Sequence, residues 1–307
     1  MSYSAGSNTK NESFSSVKGK NLFITMLLKV IITIAEVTGG FFSGSLSLVS
    51  DALHNLSDVF AIAISYFAIK MAKKNNDEKN TFGYRRATVI AAVINSTVLI
   101  LMSIFLFKEA YLKFIEPEEI NAQIVISVSL IGVIVNAIAA YLLHKTSGAD
   151  LNIKAVYLHF LGDVMSSSGI VVGGILIYYL NIYWIDPLLT VIIGLYIIRE
   201  SYEILKQAVN ILMQGVPEKV DINEIAEELE RIDIVENIHH VHIWALDEET
   251  LFFEAHVNLK NDILISDTSG LYEKMEYKLK EHFGVTHLTI KFEYECCEDV
   301  GRVIKRN

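Results

Sequence analysis

Cysteine is scarce, and its scarcity excludes a disulfide scaffold. The 307-residue chain has two, Cys296 and Cys297, adjacent and near the C-terminus. Neighbouring cysteines make a poor structural bridge. A basic excess is also missing: 26 Lys/Arg stand against 36 Asp/Glu, a net charge of −10. Nucleic acid, which wants a basic face, is therefore not an expected partner. No His-Glu-x-x-His stretch occurs, so the helix signature of zinc hydrolases is absent. Residues 1–20 are polar and rich in Ser, Asn and Lys, and the first apolar run is long enough to span a bilayer, so no cleavable signal peptide is expected.

What is present is apolar sequence in long runs. Hydrophobic residues make up 52% of the chain and the mean hydropathy is +0.38, too apolar for an ordinary soluble domain but short of a wholly membrane-embedded one. Charge is unevenly placed: residues 215–307 hold ten Lys/Arg against 21 Asp/Glu, a net of −11, and the remainder is close to neutral. Six segments, 21–42, 46–70, 88–108, 122–144, 154–180 and 184–205, can each cross about 30 Å of hydrocarbon. Lys10, Lys18 and Lys20 precede the first; Lys70, Lys73, Lys74, Lys79, Arg85 and Arg86 follow the second; Lys145 and Lys154 flank the fourth-to-fifth connection. The opposite loops offer only Lys108 and Lys113 beside Glu109, Glu116, Glu118 and Glu119. This asymmetry puts both termini in the cytoplasm. The expected layout is a tail over 1–20, a six-helix membrane domain over 21–207 and an acidic cytoplasmic domain over 208–307.

Two stretches carry the chemistry, Leu53-His54-Asn55-Leu56-Ser57-Asp58 and Leu158-His159-Phe160-Leu161-Gly162-Asp163. Each sets a histidine and an aspartate at i and i+4, one turn apart on one helix face. A carboxylate in hydrocarbon costs roughly 3 kcal/mol on insertion scales, so such groups face the bundle interior and mark ion or proton paths. Two imidazoles and two carboxylates suit a tetrahedral Zn²⁺. Asp51 extends the polar stripe of the second span. Lys29 and Glu36 share a face of the first span at i and i+7 and read as an intrahelical or interhelical charge pair, an ion path being the alternative. Asn95 and Asn136 read as interhelical hydrogen-bond donors, and Ser166-Ser167-Ser168-Gly169 as a close-packing face. Tyr183-Trp184 reads as an interface anchor, and Asp186-Pro187 as the start of the sixth helix.

Beyond residue 208 the periodicity changes. A helix is predicted over 221–231, β-strands over 234–246 and 251–259 joined at Asp247-Glu248-Glu249-Thr250, an amphipathic helix over 266–283 and a strand over 288–294. The order α-β-β-α-β in under a hundred residues argues a small two-layer α+β domain, ferredoxin- or metallochaperone-like. Six of the nine histidines lie here: His239, His240, His242, His256, His282 and His287. In the first strand His240 and His242 are expected on one face and His239 on the other.

These residues, with Thr81-Phe82-Gly83-Tyr84, Asp150-Leu151-Asn152, Met213-Gln214-Gly215-Val216-Pro217, Val241-His242-Ile243-Trp244, Ala255-His256-Val257 and His287 through Glu293, resemble the cation diffusion facilitator family of zinc transporters over nearly the whole chain. The resemblance implies a transport site of His54, Asp58, His159 and Asp163, a homodimer paired through its cytoplasmic domains, and export of divalent metal across the cytoplasmic membrane in exchange for protons by alternating access. Zinc is the implied metal, with cadmium, cobalt and iron as relatives; manganese goes with all-carboxylate sites. It also implies cytosolic, regulatory zinc sites on His239, His256, His287 and Glu293, with Cys296 and Cys297 as further ligands; the other reading of this cluster is a metal-free dimer interface. The chain departs from some relatives in having Asn80 and Tyr84 before the third span, only His144 between the fourth and fifth, and Lys291 two residues before Glu293. Two rivals remain: an intramembrane metalloenzyme, disfavoured because four protein ligands close the shell, and a metal receptor that does not transport.

Overall fold

The computed structural model describes residues 6–72, 77–147, 151–218, 220–247, 250–296 and 301–302. Six long helices come first: α1 (Gly6–Ser43), α2 (Leu46–Ala72), α3 (Ala87–Ile115), α4 (Ala122–Ser147), α5 (Leu151–Leu180) and α6 (Ile185–Leu212). The apolar windows lie essentially within these helices, but α1, α3 and α6 run on past the apolar sequence. A helix stops at a breaker or a cap, not where polarity changes. Pro117 lies just beyond α3, Asn181 (φ 52°) follows α5, and Gln214 (φ 56°) follows α6.

The chain divides into two compact units, residues through Ile64 with Ile94–Glu203, and Ser65–Val93 with Ile204 onward. The first is a helical unit with its polarity inside out. Leu27, Ile31, Ile34, Phe41, Phe105, Ile131 and Met165 are exposed, whereas Lys29, Glu36, Asp51, His54, Asn55, Asn136 and Asp163 are buried. In water this arrangement would be ruinous; in lipid it is required, because the tails solvate leucine and nothing there solvates a charge. Among the described residues α3, α4 over Ala122–His144 and α5 over Tyr157–Leu180 are apolar enough to cross a membrane by length and composition alone.

Close packing of α5 rests on glycine, though not on Gly169, which has open space around it. A Cβ on Gly174 would lie 2.9 Å from Ile126 Cγ1 of α4, and one on Gly173 would overlap Leu189 of α6. Of the serines before them, Ser166 and Ser167 hydrogen-bond to Asp51, and Ser167 also packs closely, its Oγ 3.4 Å from where a Cβ on Gly132 of α4 would lie. Asp186 likewise does more than open α6. Its buried carboxylate accepts from Ser45 Oγ (2.5 Å), Leu46 N (2.7 Å), Ser47 N (3.2 Å) and Ser47 Oγ (2.5 Å), and so caps α2 from another helix.

In the second unit α7 (Ile222–Glu230), β1 (Val235–Ala245), β2 (Leu251–Leu259), α8 (Ile265–Phe283) and β3 (His287–Tyr294) follow the α-β-β-α-β order expected from periodicity. The sheet order is β1-β2-β3, with β1 antiparallel and β3 parallel to β2. One sheet face and the helices bury Ile225, Leu229, Ile238, Phe253, Val257, Met275 and Leu279 in a common core. Strand alternation then puts Glu254, His256 and Asn258 on the other face, with Thr289, Lys291 and Glu293 beside them on β3. On β1 the alternation fails. The register shifts between His239 and His242 and His240 takes φ 50°, a bulge that sets both His239 and His240 against His256. The expected opposition of His239 and His240 is thereby corrected.

Candidate metal centre

In the helical unit α2 supplies His54 and Asp58 and α5 supplies His159 and Asp163. His159 Nε2 lies 3.0 Å from Asp58 Oδ2 and 3.7 Å from Asp163 Oδ2; His54 Nε2 lies 3.6 Å from Asp163 Oδ1 and 3.9 Å from Asp58 Oδ2. The imidazoles are tilted at 53° with centroids 5.7 Å apart. Ligand atoms of His54, His159 and Asp163 all fall within 4.8 Å of one another. Donors about 2.0–2.2 Å from a tetrahedral Zn²⁺ are about 3.3–3.6 Å apart, so these spacings bracket the edge of such a shell. His54 and Asp163 are buried, while the side chains of His159 and Asp58 are 35% and 24% exposed, leaving one side of the cluster open.

The surrounding polar residues sort differently from the sequence reading. Asp51, one turn before His54, accepts from Ser166 Oγ (2.7 Å) and Ser167 Oγ (2.9 Å) of α5, outside the four-residue cluster. Ser57 Oγ donates to Asn95 Oδ1 at 2.9 Å, an interhelical bond in which the asparagine accepts, where donation was expected. Buried Asn136 has neither side-chain polar atom hydrogen-bonded. Lys29 and Glu36 do not form a pair with each other. Glu36 Oε2 accepts from Asn55 Nδ2 at 2.6 Å, and Lys29 donates to Asp163 Oδ2 and lies 3.0 Å from Asp58 Oδ2. Lys29 thus belongs to the cluster, in line with the ion-path alternative and not with the favoured pair with Glu36; the signal available was a lysine within an apolar span.

On the open face of the sheet, His239 Nε2 is 3.0 Å from Glu293 Oε2 and His256 Nδ1 is 3.2 Å from Glu293 Oε1. These three form the second group able to hold a metal ion. His239 Nδ1 is 2.9 Å from Asn237 Oδ1, and donating there leaves Nε2 with a lone pair facing a carboxylate. His239 Nε2 and Glu293 Oε2 are both buried without a hydrogen bond. Two acceptors held face to face are satisfied by a cation, either a proton on the imidazole or, with His256, a zinc ion, so the residues fit zinc. Lys291 Nζ already pairs with Glu293 Oε1 at 2.6 Å from its exposed position. Burial, joined by the Lys291 ammonium and the adjacent His240 and His239, lowers the His256 pKa against the opposing pull of Glu293. Burial of Glu293 would raise its own pKa, but the Lys291 bond and the neighbouring charges hold it below the usual carboxylate value.

Of the other expected ligands, the two described residues are not part of this group. His287 pairs with Phe252 at the far end of β3 (ring centroids 4.5 Å apart), six residues or about 20 Å of strand from Glu293. Cys296 follows β3, its amide 3.5 Å from Asn258 Oδ1, and is not one of the grouped ligands. Cys297 lies outside the described residues.

Two family models cover this chain. That described as the cation efflux transmembrane domain matches residues 22–213, and that described as the cation efflux protein cytoplasmic domain matches residues 217–295. The chain belongs to the cation efflux family. Among the relatives of this cation efflux protein, the "Cadmium, cobalt and zinc/H(+)-K(+) antiporter" of Bacillus subtilis is 35% identical over 91% of each chain. The "Metal cation efflux system protein CzcD" of Cupriavidus metallidurans is 35% identical over 91% of this chain and 88% of its own, and the "Zinc transporter ZitB" of Escherichia coli is 32% identical over 86% and 84%. The protein is a membrane-embedded cation transporter, not an enzyme, which removes the metalloenzyme and the non-transporting receptor as rivals.

Proposed function

We propose that this cation efflux protein exports divalent metal, zinc foremost, by binding it at His54, Asp58, His159 and Asp163 and exchanging it for protons. One observation carries the reading: the imidazoles of His54 and His159 each lie 3.0–3.9 Å from carboxylate oxygens of both Asp58 and Asp163, on two helices inside an apolar bundle. Such groups in hydrocarbon mark a path for the ion they bind. Mixed imidazole and carboxylate donors suit Zn²⁺, and also Cd²⁺ and Co²⁺, the ions in the relatives' names. The open His159–Asp58 side is the route by which the ion enters and leaves.

Proton coupling follows from ligand chemistry. Metal requires neutral imidazoles and ionised carboxylates, so metal and protons compete for the same atoms. A site opening to a proton-rich exterior releases zinc as His54 and His159 take up protons, and the incoming protons limit the charge left buried on the return. The positive-charge asymmetry of the loops supports cytoplasmic termini in a cytoplasmic membrane, the six spans forming residues 21–207 and the acidic domain 208–307. The match to a cytoplasmic domain of this family supports a homodimer paired there. His239, His256 and Glu293 are the residues that would hold a regulatory zinc ion, joining β1 and β3 across β2.

The test is zinc transport by purified protein in proteoliposomes carrying a pH gradient. Transport is expected to collapse when a protonophore dissipates the gradient, and Asp58→Ala to abolish it. Wild-type rates from Asp58→Ala would overturn the site, and gradient-independent transport would overturn the exchange.

A further inference from the structure

Lys29 has a place in the cluster that four-ligand coordination does not explain. It rises from α1, is 3% exposed, and its ammonium lies 3.0 Å from Asp58 Oδ2 while donating to Asp163 Oδ2. His159 Nε2 is 3.5 Å away and the Phe160 ring centroid 5.3 Å away. The ammonium therefore occupies the carboxylate oxygens that a metal ion would take. Lys291 makes a similar contact with Glu293 in the sheet cluster, but its side chain is 64% exposed and can withdraw into water. Lys29 has no such exit.

We propose, resting on the four-residue transport site, that Lys29 is a tethered counter-cation: its ammonium fills the metal-free site, yields the carboxylates to the incoming ion, and stays beside it. Charge counting shows what this does. With neutral imidazoles, two carboxylates and Lys29 give the empty site −1 and the divalent-loaded site +1. Without Lys29 the same states carry −2 and 0. An empty −2 site in low dielectric resists reorientation, whereas a loaded neutral site holds its ion too well. Lys29 shifts both states by one positive charge, so that one incoming proton instead of two neutralises the empty site for its return, and the loaded site is readier to release. The face of Phe160, on the helical turn between His159 and Asp163, offers the displaced ammonium a cation–π resting place that needs no water.

The experiment compares full-length wild type with Lys29→Met, Lys29→Gln, Lys29→Arg and Asp58→Ala, using Zn²⁺ as the probe in calorimetric binding at fixed pH and in proteoliposome transport. Lys29→Met and Lys29→Gln are expected to bind Zn²⁺ at least tenfold more tightly, with KM and kcat both lowered because release slows. Lys29→Arg, which keeps the charge, is expected within about threefold of wild type. Affinity unchanged or weakened in both neutral variants, with Asp58→Ala still losing binding, would overturn the counter-cation alone. Wild-type affinity in Asp58→Ala would overturn the site on which it rests. Should Lys29→Met fail to elute as folded protein, Lys29→Gln, which keeps a polar head, decides the matter.

Discussion

Replacing Asp186 with alanine tests whether the helix carrying His54 and Asp58 is anchored from outside itself. The first N–H groups of any α-helix lack partners within it. In α2 two of them, Leu46 N and Ser47 N, are satisfied by the Asp186 carboxylate, which also takes the Ser45 and Ser47 hydroxyls. Asp186 is 1% exposed, so water does not substitute when the carboxylate is removed. The hydroxyls, 3.1 Å apart, can satisfy each other, but the two amides cannot. At about 1–3 kcal/mol per buried orphaned donor, and up to about 1 kcal/mol for the lost charge at a helix N-terminus, Asp186→Ala is expected to cost about 4 kcal/mol. Asp186→Asn, which retains one acceptor oxygen, should cost about half. Unfolding of the full-length protein in mixed micelles of rising SDS fraction, followed by tryptophan fluorescence, measures both. His54 lies eight residues beyond Leu46, about 12 Å along the helix, so zinc affinity should fall by less than about tenfold even as stability drops. If Asp186→Ala unfolds within about 1 kcal/mol of wild type, the cap is incidental and the reasoning fails.

Exchanging one imidazole for a carboxylate, as in His159→Asp, should relax zinc preference towards harder ions; competitive transport of Zn²⁺ against Mn²⁺ reads this, and an unchanged ratio counts against His159 as a ligand. Glu293→Gln should remove one Zn²⁺ equivalent from the full-length protein while transport through the membrane site persists, as titration with a zinc indicator would show; full retention of that equivalent would deny the sheet cluster its metal. The low-lying His256 pKa means that, as pH falls below the ordinary histidine value of 6.5, the unfolded chain takes up a proton there more readily than the folded domain. Stability is thus lost with acidification, and Glu293 continues the loss below 4.5. Amide hydrogen exchange in β1–β3, corrected for intrinsic rates, should be faster at pH 5.5 than at 7.5, and slower exchange would contradict the sign.

Local order in this protein is written in its periodicity. The His-x-x-x-Asp spacing places each pair on one helix face whatever the surroundings, because 3.6 residues per turn is a property of the backbone. The α-β-β-α-β run likewise announces itself by a switch from period 3.6 to period 2. Apolar length alone marked the spans, since a segment that crosses hydrocarbon has to be apolar over about 20 residues. What the chain could not disclose are contacts across large separations and departures from ideal alternation. Lys29 was seen with Glu36, its neighbour in spacing, whereas packing turned it to carboxylates on α2 and α5. Asp186 read as the start of its own helix yet caps another. A bulge at His240 brought it to the same side as His239, and strand length carried His287 away from Glu293. Each of these depends on which surfaces meet in three dimensions, and burial then makes the nearest opposite charge or open donor the partner, wherever it lies in the sequence.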